Sequence, residues 1–237
     1  VEDQRGREAD LTSFLVEASL RPQRDAGISL PCAGGKFYGK RLGESIEGLE
    51  GGKITGELAL SPGLLADDAA RAVALSPGCR FAVPAPHLVA REDAHYGDEE
   101  EARATLCEQY RLLFREMRDR GAAGHVCIGG EAVPAELEAF AGRRVLFFVE
   151  GADRATLGEL LEYQRAIVVR GRDIAGLAEL MDECEVATVF LLDPGGDDVE
   201  RILEVCDAER VRLAGYCTAK CPEYWRRLVD ASAVRTA

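Results

Sequence analysis

Three cysteines, one histidine and a handful of charged residues stand where an apolar run gives way to a glycine, a proline or a turn. These positions can carry chemistry. Cys32, Cys217 and Cys221 offer thiolates. Three thiolates with a fourth position open could hold zinc as a Lewis acid, or an iron–sulfur cluster with one exposed iron. The segment CTAKC spaces its cysteines as C-x3-C rather than in the paired C-x2-C pattern of strong zinc sites. A reactive thiol and plain packing therefore stay open beside the metal reading. His87 ends the run RFAVPAPHL and is the side chain best suited to acid/base work near neutral pH. Glu150 or Asp193 would be its complementary carboxylate. Lys220 is the fourth catalytic candidate, as a cation or, if desolvated, as a Schiff-base nucleophile.

A second set suits anion binding. Gly195 and Gly196 let backbone N–H groups approach a phosphate or carboxylate closely, Thr218 adds a hydroxyl, and Lys36 and Lys220 add charge. Arg170 has the forked geometry for a substrate carboxylate. Asp197 and Asp198, next to the glycine pair, favour a helix start but repel an anion.

Eight short apolar runs must position these groups: 27–32, 53–62, 80–88, 124–130, 144–151, 166–171, 186–194 and 210–217. Helix-like segments follow them, a rhythm that reads as repeated βα units with a parallel sheet. Eight units in 237 residues suit a (β/α)8 TIM-type barrel, for which roughly 250 residues is typical. An open doubly wound parallel sheet is the alternative, because the first three runs contain Pro31, Pro62, Pro84 and Pro86. Residues 1–237 read as one domain, with 1–26 as an N-terminal helical extension that covers the bottom. In a barrel the site lies at the C-terminal strand ends. Closure would set the last strand beside the first and bring Cys32, Cys217 and Cys221 to one seam.

Composition narrows the partners. A net charge of −13 opposes broad binding to nucleic acid or an anionic membrane. No stretch approaches the roughly 18 apolar residues needed to span a bilayer. Eight cysteines in an α/β pattern point to a reducing, cytoplasmic setting. No nucleophile elbow, P-loop, GxGxxG or HExxH motif is present. The expectation is a barrel enzyme acting on a small anionic metabolite by lyase- or isomerase-type proton transfer. A thiolate-metal barrel enzyme such as a methyl-group transferase is one alternative. A non-catalytic binding or assembly protein is the other, and association into a homo-oligomer is compatible with each.

The metal reading is testable without knowing the substrate. Anaerobically purified protein should carry about one zinc, or several irons with sulfide, per chain. Changing Cys217 and Cys221 to Ser should abolish that content, whereas changing Cys184 and Cys206 should not. Metal-free wild-type protein would refute it.

Overall fold

The most apolar runs fold as parallel strands. The structure, a computed structural model, describes residues 11–28, 30–35, 38–142, 144–195, 197–215 and 221–231, with side chains of the last segment described from 223 to 230. One parallel sheet contains β1 (Cys32–Gly34), β4 (Arg80–Pro84), β6 (Gly124–Gly129) and β7 (Val145–Val149), in that order. A second contains β8 (Ala166–Arg170), β9 (Thr188–Leu192) and β10 (Val211–Ala214). β7 packs beside β8, but no ladder joins the two sheets among the described residues. This is a mixed α/β fold with parallel sheets. The hydrogen-bonded circle of a closed barrel is not made, and the open alternative fits the ladder pattern.

All seven parallel strands nevertheless face one apolar cavity of about 230 Å³. Ala33, Ala82, Val126, Leu146, Val168, Phe190 and Leu213 line it, one from each strand. The alternate residues, among them Phe81, Cys127, Phe147, Ile167 and Val189, are buried in the core beneath the helices. Burial on both faces is why these runs read as continuously apolar.

The second sequence run departs from the expected pattern. It forms β3 (Lys53–Leu60), antiparallel to β2 (Ile46–Glu50) and joined to it through Gly51 and Gly52. Both glycines have positive φ, 60° and 89°, as a two-residue hairpin turn of the primed type requires. A short β5 (Glu92–Asp93) pairs with β3, so this three-stranded sheet stands apart from the parallel ones. The second of the eight barrel strands expected from the sequence is thus one arm of a hairpin.

The first run is displaced as well. Helix α1 (Leu11–Asp25) does not stop cleanly, because the N–H groups of Ala26, Gly27 and Ile28 return to carbonyls of Pro22, Arg24 and Gln23. Those residues end the helix, and the strand starts only at Cys32. The Gln23 amide fixes that start, donating to the Cys32 carbonyl at 2.8 Å and accepting from its N–H at 2.9 Å. The N-terminal helix is therefore anchored at the start of β1. It is clasped from the side by the buried pair of Arg41, in α2 (Tyr38–Glu44), and Asp68, in α3 (Leu64–Leu75), at 3.3 Å.

The long helix α5 (Glu99–Asp119) is capped by Asp98, which accepts from the N–H groups of Glu100 and Glu101. Its buried stripe includes Leu106, Tyr110, Leu113, Phe114 and Met117, packed over β6. There Phe114 stacks on His125 with ring centroids 4.0 Å apart. His125 is fully buried and neither ring nitrogen has a hydrogen-bond partner. Burial, helped by Arg118 and Arg80, pushes its pKa down to about 3.

This has a pH consequence. Below about 6.5 the unfolded chain protonates His125 while the folded chain does not, so stability falls with pH down to about 3. The loss should be about 2 kcal/mol between pH 7 and pH 5. Urea unfolding at both values should show this slope in the wild type and lose it in His125→Phe. Equal slopes would refute the account.

Candidate functional site

Parallel strands leave their C-terminal ends for polar groups, and three of these ends converge. β8 ends in Arg170, β7 is followed by Glu150, and β9 is followed by Asp193. Arg170 Nη1 lies 2.9 Å from Asp193 Oδ2, and its Nη2 lies 3.5 Å from Glu150 Oε1. Tyr224, in α10 (Cys221–Ala231), donates its hydroxyl to Asp193 Oδ1. The Arg170 N–H donates to Asp173 Oδ2 at 3.1 Å, which fixes the start of the following turn. Asp193 has φ 47°, in the left-handed region, and its N–H donates to the Ala214 carbonyl at 2.9 Å. A non-glycine residue held in this way is overdetermined by its surroundings, as functional positions often are.

The cluster adjoins cavity-lining residues in sequence, although none of its four side chains lines the cavity itself. Leu192 and Ala214 line the cavity directly before Asp193 and Gly215, and Trp225 lines it directly after Tyr224. Two carboxylates face one guanidinium, so the rim is not an exposed cationic clamp. Arg170, read from the sequence as a possible substrate-carboxylate binder or as a partner of nearby acids, has its donors on Asp193 and Glu150.

His87 is placed elsewhere, at the start of α4 (Pro86–Val89). Its partner is Glu136, in α6 (Pro134–Phe140), rather than Glu150 or Asp193. Glu136 is fully buried, accepting the His87 N–H at 2.8 Å on Oε1 and meeting Nδ1 at 3.0 Å on Oε2. His87 Nε2 accepts the Gly130 N–H at 3.3 Å. An accepting Nε2 and a carboxylate at Nδ1 together require the Nδ1–H tautomer. The ring rests against Gly129, where a Cβ would come within 3.0 Å of its Cε1. His87 thus pins the loop after β4 to the loop after β6, facing a cleft outside the strands.

Cys32 also differs from its expected place. It opens β1 at the level of Arg80, the first residue of β4, and so lies at the N-terminal end of the strands. The shift follows from the helix end that occupies residues 26–28. Burial, reinforced by Cys79, pushes the Cys32 thiol up to about 12, which keeps it protonated near neutral pH. Among the described residues no three His, Cys, Asp or Glu side chains are grouped to hold a metal ion. Cys217, Thr218, Lys220, Gly196 and Lys36 lie outside the described residues, and Cys221 is described only as the first backbone position of α10. Gly195 is described, and its N–H is already taken by Asp198 Oδ2 at 3.1 Å.

Three participants escaped the sequence reading. Tyr224 and Trp225 lie within a helix whose charged neighbours drew no attention to them, although adjacent aromatics just after the last strand were a usable signal. Glu136 was hidden in the alternation of PAELEAF, where nothing marks one glutamate as buried.

No protein-family profile matches the sequence, and no curated protein matches it significantly. Solved structures do resemble it. A B12-independent methionine synthase from Shewanella sp. W3-18-1, solved in complex with selenomethionine, superposes with a TM-score of 0.58 at 12% identity, covering 93% of this chain and 86% of that one. A putative vitamin-B12-independent methionine synthase from Listeria monocytogenes superposes with a TM-score of 0.56 at 14% identity, covering 97% and 89%. The chain shares their TIM-barrel-related fold. No helix among the described residues is long and apolar enough to cross a membrane.

The His87 geometry makes its own prediction. Glu136→Gln replaces one acceptor with a donor that faces Nδ1–H, and should cost about 1–3 kcal/mol in urea unfolding. Nitrogen NMR of the wild type should report the Nδ1–H tautomer of His87. The Nε2–H tautomer, or an unchanged stability, would contradict the arrangement.

Proposed function

We propose that the chain is a small-molecule group-transfer enzyme of methyltransferase type. Its substrate's apolar body occupies the cavity, and its reactive end lies at the rim formed by Glu150, Arg170, Asp193 and Tyr224. The observation that carries this reading is the convergence of four polar side chains at the strand ends, next in sequence to the cavity-lining residues Leu192 and Trp225. Such a combination is the usual form of a small-molecule site. A rim built for a protein partner would present large apolar side chains instead.

The rim chemistry follows from the charges. When an alkyl group moves from donor to acceptor, the bond to the donor atom breaks, the bond to the accepting atom forms, and a thiol, amine or hydroxyl acceptor loses its proton. Two carboxylates against one guanidinium leave capacity to take that proton. Arg170 and Tyr224 fix Asp193 from both oxygens, while the Glu150 side chain, 66% exposed, is accessible to an incoming molecule. The likeness to methionine synthases supports the transfer class through the fold. One of those enzymes was solved with selenomethionine, a small molecule with an apolar arm. Proton transfer of lyase or isomerase type on a metabolite clamped by Arg170 is less well supported, because the guanidinium is already engaged.

The discriminating experiment is untargeted mass spectrometry of a small-molecule extract incubated with wild-type protein and with Asp193→Asn. The proposal expects a pair of compounds differing by one methyl group, with conversion reduced by about a hundredfold or more in the variant. Conversion between isomers, or loss of a fragment without transfer, would favour the lyase or isomerase reading. An absence of any protein-dependent conversion would contradict the enzyme proposal.

A further inference from the structure

The cavity has a second end, at the N-terminal side of the strands, where Ser19, Gln23, Cys32 and Arg80 line it. Most of the polar capacity there is already used. Gln23 spends its amide on the backbone of Cys32 and the carbonyl of Ser19, and the Ser19 hydroxyl donates to the Val16 carbonyl. The Cys32 thiol is held protonated by burial. Arg80 is different. Its Nε is buried without a hydrogen-bond partner, and no carboxylate is paired with it among the described residues. Its guanidinium lies over Gly124, its register partner in β6, where an added Cβ would stand 3.0 Å from Nη1 and 2.6 Å from the Arg144 carbonyl. The absence of a side chain at 124 is what leaves the guanidinium its space.

A guanidinium cannot relieve desolvation by losing its proton, so a half-buried arginine with an unpartnered Nε favours an anion or a set of acceptors. The rest of the cavity wall is predominantly apolar, and its other unspent polar atom is again a donor: Trp225 Nε1, buried without a partner near the mouth. A ligand that complements this cavity must therefore bring acceptors on an apolar body. We propose that the substrate is a small apolar carboxylate whose head group pairs with Arg80 and whose hydrocarbon body runs between the strands towards the rim. This rests on the cavity being the substrate site and adds the chemical class of its deep end. It also returns an anionic substrate to the protein, held by a different arginine from the one the sequence suggested.

The chain's single tryptophan makes the test direct, since Trp225 lines the cavity. Hexanoate and its uncharged analogue hexanamide are titrated against the wild type while Trp225 emission is recorded. Hexanoate should shift the emission saturably and bind about tenfold or more tightly than hexanamide, as expected for a charge-assisted contact. In Arg80→Gln that preference should vanish while hexanamide affinity is kept. Arg80→Lys should retain part of it, which guards against a Gln variant that fails to fold. Equal binding of the two probes by wild type would overturn the Arg80 proposal and leave the cavity standing as a binding site. No Trp225 response to either probe would overturn both.

Discussion

An apolar strand buried on both faces has nowhere to put a charge except at its ends, and this constraint organises the molecule. β6, β7, β8 and β9 send one set of side chains into the helices and the other into the cavity. An ionised group in the middle of either face would cost several kcal/mol unless paired. In β4 and in β6 to β9 the charged residues accordingly stand at or just beyond the strand limits. Arg80 opens β4, Arg170 closes β8, and Glu150 and Asp193 follow the last residues of β7 and β9. The interior is left apolar, with a cation lining its N-terminal end and an acid-rich cluster at the C-terminal ends of the strands. His125 is the exception that fits the rule, since it is accommodated inside only as a neutral ring.

The same constraint explains which parts of the fold were legible. The runs VLFFV, AIVVR and TVFLL are continuously apolar because both faces are covered, and each is a parallel strand. KITGELAL mixes Ile, Leu and Ala with Lys, Thr, Gly and Glu, and its burial alternates along the strand. That period of two marks a half-exposed antiparallel strand, and the Gly51-Gly52 pair before it is a hairpin signal. Counting the run as a barrel strand overlooked both. GISLPC misled for another reason. Its apolar residues follow directly on a helix whose C-terminal hydrogen bonds extend to Ile28, and no local pattern reveals how far such a helix end reaches.

The site was partly legible for a related reason. Strand ends can be located from where apolar runs stop, so Glu150, Arg170 and Asp193 were identifiable as neighbours on one rim. Pairing is harder to read, because it depends on side-chain reach across strands far apart in sequence. Nothing in the residues around His87 distinguishes Glu136, forty-nine positions away, from the other acids. Arg170 was read as a possible anion binder because its two carboxylate partners come from different loops. Arg80 was passed over since an arginine at a strand start reads as ordinary solvation, and only the glycine opposite it in register shows where the guanidinium lies.

The central claim is that seven strands enclose one ligand cavity with opposite chemistry at its two ends. A crystal structure of the protein soaked with para-bromobenzoate tests it most directly, because the anomalous signal of bromine marks the ligand's far end by element. The account predicts a bromine peak among Val126, Leu146, Val168 and Phe190, with the carboxylate on Arg80. A bromine peak outside the strands, or a sheet splayed open between β7 and β8 with no enclosed cavity, would contradict it.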